Sequence, residues 1–137
     1  MNKNNLIVIV VLSIAMSMLL LTILSTQKAP QQEETSIIYE LKTVPSTEFL
    51  SKMQSTAEPI LIDVRTRDEF LENGLEGAKN IDFYSPSFRQ EIEKLDRNKT
   101  YFIYCRSGNR SGQTLRLMQE LGFTNVYNMG GGMDRCC

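Results

Sequence analysis

The sequence has 137 residues, and its 15 lysines and arginines nearly balance 16 aspartates and glutamates, for a net charge of −1. Nothing in this balance indicates the net positive charge typical of nucleic-acid-binding proteins, and we expect no nucleic-acid partner. The sequence contains no histidine. That absence excludes Cys–His and Ser–His–Asp catalytic sites and histidine-ligated metal centres, and we expect neither a metal nor a cofactor.

The first predicted element is an apolar helix at residues 6–24, which contains no charged residue. A helix of that length spans about 28 Å, close to the ~30 Å hydrocarbon core of a bilayer. We therefore expect an uncleaved transmembrane anchor; a cleaved secretory signal, whose apolar region is usually shorter, is the alternative. Lys3 precedes the segment, and the positive-inside rule then favours a domain outside the cytoplasm, on the periplasmic or extracellular face. Cleavage would instead yield a secreted protein.

Composition divides the remainder of the chain. A short tail at residues 1–5 precedes the apolar segment, and residues 25–36, rich in Gln, Glu, Ser and Thr, are typical of a flexible linker. Residues 37–137 form the predicted domain, which is large enough for a modest core.

Within this domain, apolar runs alternate with helical patterns. Thr66 and Glu69 have the spacing of a capping box and predict a helix start. The alternation predicts a parallel α/β sheet, and ligands bind such sheets beyond the carboxyl ends of the strands. Predicted strands lie at 60–64, 79–81, 101–104 and 125–128; predicted helices lie at 45–53, 66–71 and 88–95 and from near Arg110 to Gly122.

The most informative segment is Cys105-Arg106-Ser107-Gly108-Asn109-Arg110-Ser111, directly after a predicted strand. A loop of this kind directs backbone N–H groups at an anion, and the helix that follows adds the positive end of its dipole. Such surroundings lower a thiol pKa from ~8.5 to within ~3.5–7.5, which favours the nucleophilic thiolate. The alternative is a buried structural cysteine. Because no histidine is available, Cys105 would be activated by backbone dipoles and arginines.

Several ordered motifs together resemble the rhodanese (sulfurtransferase) homology domain, from about Leu61 to Met133. The resemblance implies a small three-layer α/β sandwich. It also implies that Cys105 attacks a sulfane-sulfur donor such as thiosulfate, holds the sulfur as a persulfide and passes it to a thiol or cyanide. The matching segments are Leu61 to Arg65, Glu69-Phe70, Gly77 to Ile81, Cys105 to Ser111 and Gly130 to Met133.

The resemblance also implies roles for the site residues. Arg110 would stabilise the donor or the loop, Arg106 would recognise substrate unless it is merely a solvated charge, and Asp63 with Arg65 would brace the loop. The predicted site comprises catalytic Cys105 and Arg110, substrate-binding Arg106, Ser107, Gly108, Asn109 and Ser111, and supporting Asp63 and Arg65.

Loop length separates two chemistries. Cysteine-based phosphatases related to this fold need the longer spacing C-x5-R to surround a phosphate, whereas Cys105 and Arg110 have the spacing C-x4-R and Ser111 occupies the next position. The smaller loop favours sulfur transfer over phosphatase or arsenate reductase chemistry.

Three interpretations of Cys136-Cys137 stay open: a chance feature, a resolving thiol for Cys105, or a link between two chains. Family members usually continue past the glycine-rich turn with a Trp and another helix, and the sequence stops at Cys137, so we expect less core packing here.

Two alternatives to the enzyme also remain. One is a non-catalytic module that binds a sulfur species, an anion or a protein at the membrane; the other is a thiol redox protein that uses Cys105 with Cys136 or Cys137.

Overall fold

The computed structural model describes residues 2–25 and 40–137. Contacts divide the chain into two units, Met1–Ser36 and Ile37–Cys137. In the first unit, helix α1 comprises Lys3–Ser25, so it includes part of the predicted tail at residues 1–5; polar residues are readily accommodated in a first helical turn.

The predicted membrane segment at residues 6–24 falls within α1. Among the residues that the structure describes, no helix is both long enough and apolar enough to cross a membrane. The described residues therefore do not support the predicted transmembrane anchor. Apart from Ser25, the predicted linker at 25–36 lies outside the described residues.

The second unit is built on a parallel sheet of five strands, in the order β1-β5-β4-β2-β3. The order places the two strands from the ends of the unit, β1 and β5, side by side at one margin of the sheet. The strands are β1 (Glu40–Pro45), β2 (Ile60–Asp63), β3 (Lys79–Asn80), β4 (Thr100–Tyr104) and β5 (Asn125–Gly130).

Helices cover both faces of the sheet. Along β4, Tyr101 and Ile103 join one core cluster, and Phe102 and Tyr104 join the other, because successive side chains of a strand point to opposite faces. This arrangement confirms the predicted parallel α/β sheet flanked by helices. The remaining elements are α2 (Ser46–Ser55), α3 (Arg67–Asn73), α4 (Phe88–Glu93), α5 (Asn109–Glu120) and a 3₁₀ turn (Met133–Arg135).

Strand β1 is absent from the sequence-based prediction. It pairs with β5 in register from Glu40 with Asn125 to Pro45 with Gly130. The charged residues Glu40 and Lys42 interrupt the segment, so it is not recognisable as an apolar run. Such charges are typical of edge strands. The predicted helix start at Pro45 is displaced by one residue, since Pro45 ends β1 and precedes α2.

The sheet brings the predicted site together at one edge. Cys105 follows β4 directly, Asp63 ends β2, and β4 pairs with β2 in parallel, with Tyr104 opposite Asp63. Because parallel strands end at the same edge, the loop at Cys105 and the turn at Arg65 are neighbours.

Candidate active site

The side chain of Cys105 is fully buried, and its sulfur accepts hydrogen bonds from the first turn of α5. The donors to Sγ are the backbone N–H of Gly108 at 3.1 Å, the backbone N–H of Ser111 at 3.4 Å and the Ser111 hydroxyl at 3.3 Å. Ser111 is buried as well. The thiol therefore lies against the positive end of a helix dipole, in surroundings that stabilise negative charge on sulfur.

A left-handed glycine shapes this loop. Gly108 has φ +89°, and a Cβ at this position would lie 3.0 Å from the backbone nitrogen of Gly131. A side chain at residue 108 would be strained in φ and crowded by the facing turn. Glycine here allows the chain to reverse and direct its N–H at Sγ.

The other amides of the loop supply unused donors. The backbone N–H groups of Arg106, Ser107, Asn109 and Arg110 have no hydrogen-bond partner within residues 40–137. Unpartnered N–H groups at a helix start are suited to bind an anion. Two other donors, from Gly108 and Ser111, contact the thiol itself in the structure.

The segment after β5 holds the loop from the opposite side. The N–H of Met133 donates to the Cys105 carbonyl at 3.0 Å, and the N–H of Asp134 donates to the Arg106 carbonyl at 2.9 Å. A Cβ on Gly132, which has φ +58°, would collide with both carbonyl oxygens. The glycine-rich segment therefore allows the close approach that these two hydrogen bonds require.

Arg110 binds Glu69 of α3 in a two-pronged ion pair. The guanidinium nitrogens lie 2.7 and 2.8 Å from the two carboxylate oxygens, and the guanidinium carbon lies 5.7 Å from the centre of the Tyr84 ring. The Arg110 hydrogen bonds lower the pKa of Glu69 to about 2, and Glu69 in turn raises the pKa of Arg110. Since both outer nitrogens of Arg110 bind Glu69, the geometry favours loop support for Arg110 over direct contact with a sulfur donor.

Asp63 and Arg65 form a buried ion pair, with side chains 0% and 4% exposed. Arg65 Nη2 lies 2.7 Å from Asp63 Oδ2, and Arg65 Nη1 donates to Asn73 Oδ1 at 2.7 Å. Asn80 donates to both backbone carbonyls of the pair, at 3.1 and 2.9 Å. The pair thus joins the end of β2 to α3 and β3. The pair braces the turn next to the Cys105 loop, and within residues 40–137 it makes no hydrogen bond to Sγ.

Arg106 extends into solvent, with 71% of its side chain exposed, and its Nε lies 3.4 Å from Asp134 Oδ1. The predicted binding residues Ser107 and Asn109 are also exposed. Of the predicted substrate-binding set, Gly108 and Ser111 contact the Cys105 thiol, whereas Arg106 lines a cleft that borders the nucleophile loop but is not lined by Cys105 itself. This cleft of about 660 Å³ is lined by Arg65, Glu69, Glu72, Asn73, Leu75, Arg106, Met133, Asp134 and Cys137.

Four residues of the site were not predicted as such. Glu69 enters the sequence analysis as part of the capping box, which the structure confirms, and in one of the segments that match the family, but with no role in the site. Asn80 lies in another matching segment, again without a role, and no pattern singled out Asn73 or Tyr84, whose partners Arg65 and Arg110 belong to other elements. Only the fold brings them to the site.

The cysteines pair in a way that the sequence analysis did not predict. Cys136 and Cys137 form a disulfide with each other, and Cys105 is free and buried. The structure thus contains no bond between Cys105 and either of them.

Comparison with known proteins adds family relationships. A family model described as "Rhodanese-like domain" matches residues 46–136. The thiosulfate sulfurtransferase PspE of Escherichia coli is 36% identical over 73 residues, covering 53% of this chain and 70% of that protein. The Bacillus subtilis protein YtwF is 34% identical over 94 residues, covering 69% and 88%. A sulfurtransferase of Allochromatium vinosum is 26% identical over 90 residues, covering 66% and 82%.

Solved structures share the fold. A crystal structure of a Staphylococcus saprophyticus protein aligns with a TM-score of 0.59 at 29% identity, covering 68% of this chain and 90% of that one. A rhodanese-like domain protein of Staphylococcus aureus aligns with a TM-score of 0.60 at 24% identity, covering 69% and 89%. At 24% identity, the similarity to the Staphylococcus aureus protein shows a shared fold only.

Proposed function

Since the chain belongs to the rhodanese-like domain family, we propose that it is a sulfurtransferase in which Cys105 carries sulfane sulfur as a persulfide. The donor is a small sulfur-containing anion, thiosulfate or polysulfide, and the acceptor is a thiol. The family includes sulfurtransferases among its relatives, and the chemistry of the Cys105 loop supports the same activity here.

One observation carries the proposal. The Cys105 sulfur receives hydrogen bonds from the Gly108 and Ser111 amides and from the Ser111 hydroxyl, at 3.1 to 3.4 Å. These donors stabilise the thiolate before attack and the anionic persulfide after it, as an oxyanion hole stabilises an oxygen anion. A buried cysteine with a purely structural role requires no such set of donors.

The reaction proceeds in two displacements. The Cys105 thiolate attacks the outer sulfur of thiosulfate, the sulfur–sulfur bond of the donor breaks, and sulfite leaves with the bonding electron pair. An acceptor thiolate then attacks the outer sulfur of the persulfide and releases Cys105 as a thiolate. Unpartnered amides of the loop bind the incoming anion and reduce the repulsion between two negative species.

Arg110 and Arg106 have different supporting roles. Arg110, bound to Glu69, keeps the loop in shape, and Arg106, exposed at the cleft, attracts the anionic donor. Asp134 competes with the donor for Arg106, because a carboxylate 3.4 Å away already partly neutralises its charge. Thiosulfate is our first candidate donor, since PspE carries that activity in its name.

The test combines intact mass with sulfite release. We expect the full chain with its Cys136–Cys137 disulfide intact, incubated with thiosulfate, to release sulfite and gain about 32 Da on the peptide that contains Cys105, because one sulfur atom is added to the thiol. Cys105→Ser should show neither change while its circular dichroism spectrum stays that of the wild type. A folded wild-type chain that takes sulfur from neither thiosulfate nor polysulfide would favour a non-catalytic binding module.

We also propose that residues 6–24 attach the domain to a membrane, with the domain outside the cytoplasm. The support is sequence alone: the segment has no charged residue, and Lys3 precedes it. Fractionation with an alkaline carbonate wash tests this, since an anchored chain stays in the pellet. A soluble chain of reduced mass would indicate that the segment is a cleaved signal. A soluble chain of full mass would refute both the membrane anchor and the cleaved signal.

A further inference from the structure

We propose that Cys136 and Cys137 form a built-in dithiol that takes the sulfur from the Cys105 persulfide and releases it as sulfide. This inference rests on the proposed function, because it requires sulfur on Cys105. It adds a second activity to the chain, the two-electron reduction of sulfane sulfur, and identifies the thiol acceptor within the same polypeptide.

The first argument is position. The residues just before the pair are bonded to the nucleophile loop: the N–H of Met133 donates to the Cys105 carbonyl at 3.0 Å, and that of Asp134 to the Arg106 carbonyl at 2.9 Å. The N–H groups of Cys136 and Cys137 both donate to the Met133 carbonyl, at 3.2 and 3.3 Å. The pair therefore lies a single turn, about 6 Å of rise, from a residue in contact with Cys105.

The second argument is the cleft. Cys137 lines the same cleft as Arg106, which belongs to the nucleophile loop, and as Met133. A persulfide extends the reactive sulfur about 2 Å beyond Sγ. Arg106 provides a positive charge in this cleft, and nearby arginines favour the nucleophilic thiolate, although Asp134 and Glu72 oppose that charge.

The third argument is the different exposure of the two cysteines. Cys137 is exposed, whereas Cys136 is partly buried and packs against the core cluster that contains Phe49 and Met129. Their disulfide shows that the two sulfurs can bond within this turn. Cys137 is therefore suited to receive the sulfur and Cys136 to resolve it.

The chemistry balances in two steps. The Cys137 thiol gives its proton to the outer sulfur of the anionic Cys105 persulfide, and the resulting Cys137 thiolate attacks that sulfur. The sulfur–sulfur bond to Cys105 breaks, Cys105 leaves as a thiolate, and Cys137 carries the protonated persulfide. The Cys136 thiolate then attacks Cys137 Sγ, forms the disulfide and expels hydrosulfide. The sulfane sulfur gains two electrons and the dithiol loses two. A cellular dithiol reductant then reduces the disulfide for the next cycle.

The test is a single turnover in the full chain, reduced with a phosphine that is removed before thiosulfate is added. We expect the wild type to release about one sulfide per chain and to end with a Cys136–Cys137 disulfide and a free Cys105 thiol. Cys136→Ser should stop after the first step, with the extra sulfur on the peptide that carries Cys137 and sulfide release at least about tenfold slower.

The double variant Cys136→Ser/Cys137→Ser separates this inference from the proposed function. It should keep its sulfur on Cys105 and release no sulfide until an external dithiol is added. Failure of this variant and of the wild type to load would refute the proposed function and this inference with it. A double variant that loads and releases sulfide as fast as the wild type, or a wild type that simply retains its persulfide, would refute this inference alone.

The dependence of the rate constant on protein concentration distinguishes transfer within one chain from transfer between two chains. Transfer within one chain requires a rate constant for sulfide release that does not change over a wide range of protein concentrations. A rate constant that rises in proportion to concentration would mean that the pair serves a second chain, and transfer within the chain would be wrong.

Discussion

At the scale of single residues, Glu69 joins two parts of the site. Its carboxylate accepts hydrogen bonds from the N–H and the hydroxyl of Thr66, both at 3.0 Å, and so caps α3. The same carboxylate binds both outer nitrogens of Arg110. The Glu69 carboxylate, which caps the start of α3, therefore also fixes Arg110 at the start of α5.

We predict that Glu69→Gln lowers the free energy of unfolding near neutral pH by about 1–2 kcal/mol, because a half-buried arginine loses its charged partner. The pKa of Glu69 is lowered from 4.5 to about 2 in the folded chain. Its stabilising contribution is therefore complete above pH 4.5 and is lost as the pH falls towards 2. Urea unfolding across this range should show the wild type and Glu69→Gln converging in stability as the pH falls.

Glu72→Gln is the matched control, since it removes an equal charge from the same helix without an ion pair to Arg110. Glu40, whose pKa is also lowered to about 2, chiefly by the Tyr127 hydroxyl, contributes to acid unfolding in every variant. The informative quantity is therefore the difference between variants. A Glu69→Gln chain that loses stability as steeply with acid as the wild type would contradict the prediction.

At the scale of elements, the turn after β5 is a clamp on the nucleophile loop. Gly132 lies against the carbonyls of Cys105 and Arg106, and the next two amides donate to those carbonyls. The loop is thus held by α5 on one side and by the segment that begins at Gly130 on the other. Its geometry depends on an element that lies about twenty-five residues further along the chain.

We predict that Gly132→Ala slows sulfur loading on Cys105 by at least about tenfold, because a displacement of the loop by a fraction of an ångström moves the donors away from Sγ. Loading is measured by intact mass at short times. Gly77→Ala is the control: Gly77 also has positive φ, at +77°, but nothing lies within 4 Å of a Cβ there.

Both alanine variants carry the cost of a non-glycine residue at positive φ, on the order of 1–3 kcal/mol. Only Gly132→Ala also forces a contact with the loop, so loading should fall in that variant alone. Equal loading rates in both variants would mean that the clamp has no effect on the nucleophile.

At the scale of the whole molecule, the sheet joins the start of the domain to its end. β1 pairs with β5 alone, and its Val44 is only 3% exposed. Without β1, β5 would become an open edge, and Tyr127, which stacks on Phe102 at 5.0 Å, would lose cover. Exposed edges of this kind promote association between chains.

We predict that a chain that lacks residues 1–45 is less stable by at least about 2 kcal/mol than one that lacks residues 1–36, because the first loses β1 and the burial of Val44. Urea unfolding and size-exclusion chromatography measure stability and association. Unfolding of both chains at the same urea concentration, with both monomeric, would show that β1 is dispensable. The comparison is informative because the family match begins at residue 46, just after β1.

Local patterns predicted most of the domain. The strands at 60–64, 79–81, 101–104 and 125–128 and the capping box at Thr66 and Glu69 are confirmed within a residue or two. Strand β1 was missed because its charges suit an edge position, which only the pairing with β5 reveals. The role of Glu69 was missed as well, since its partner Arg110 is 41 residues away.

The sequence by itself determined the alternation of strands and helices, the position of Cys105 at a strand end and the loop that follows it, because each depends on neighbours within a few residues. Only the tertiary structure decided which amides reach Sγ, that Arg110 binds Glu69, and that Met133 and Asp134 hold the Cys105 loop. It also decided that Cys136 pairs with Cys137 and that Cys137 lines the cleft. These contacts join distant parts of the chain, and their geometry exists only once the sheet has formed and brought its strand ends to one edge.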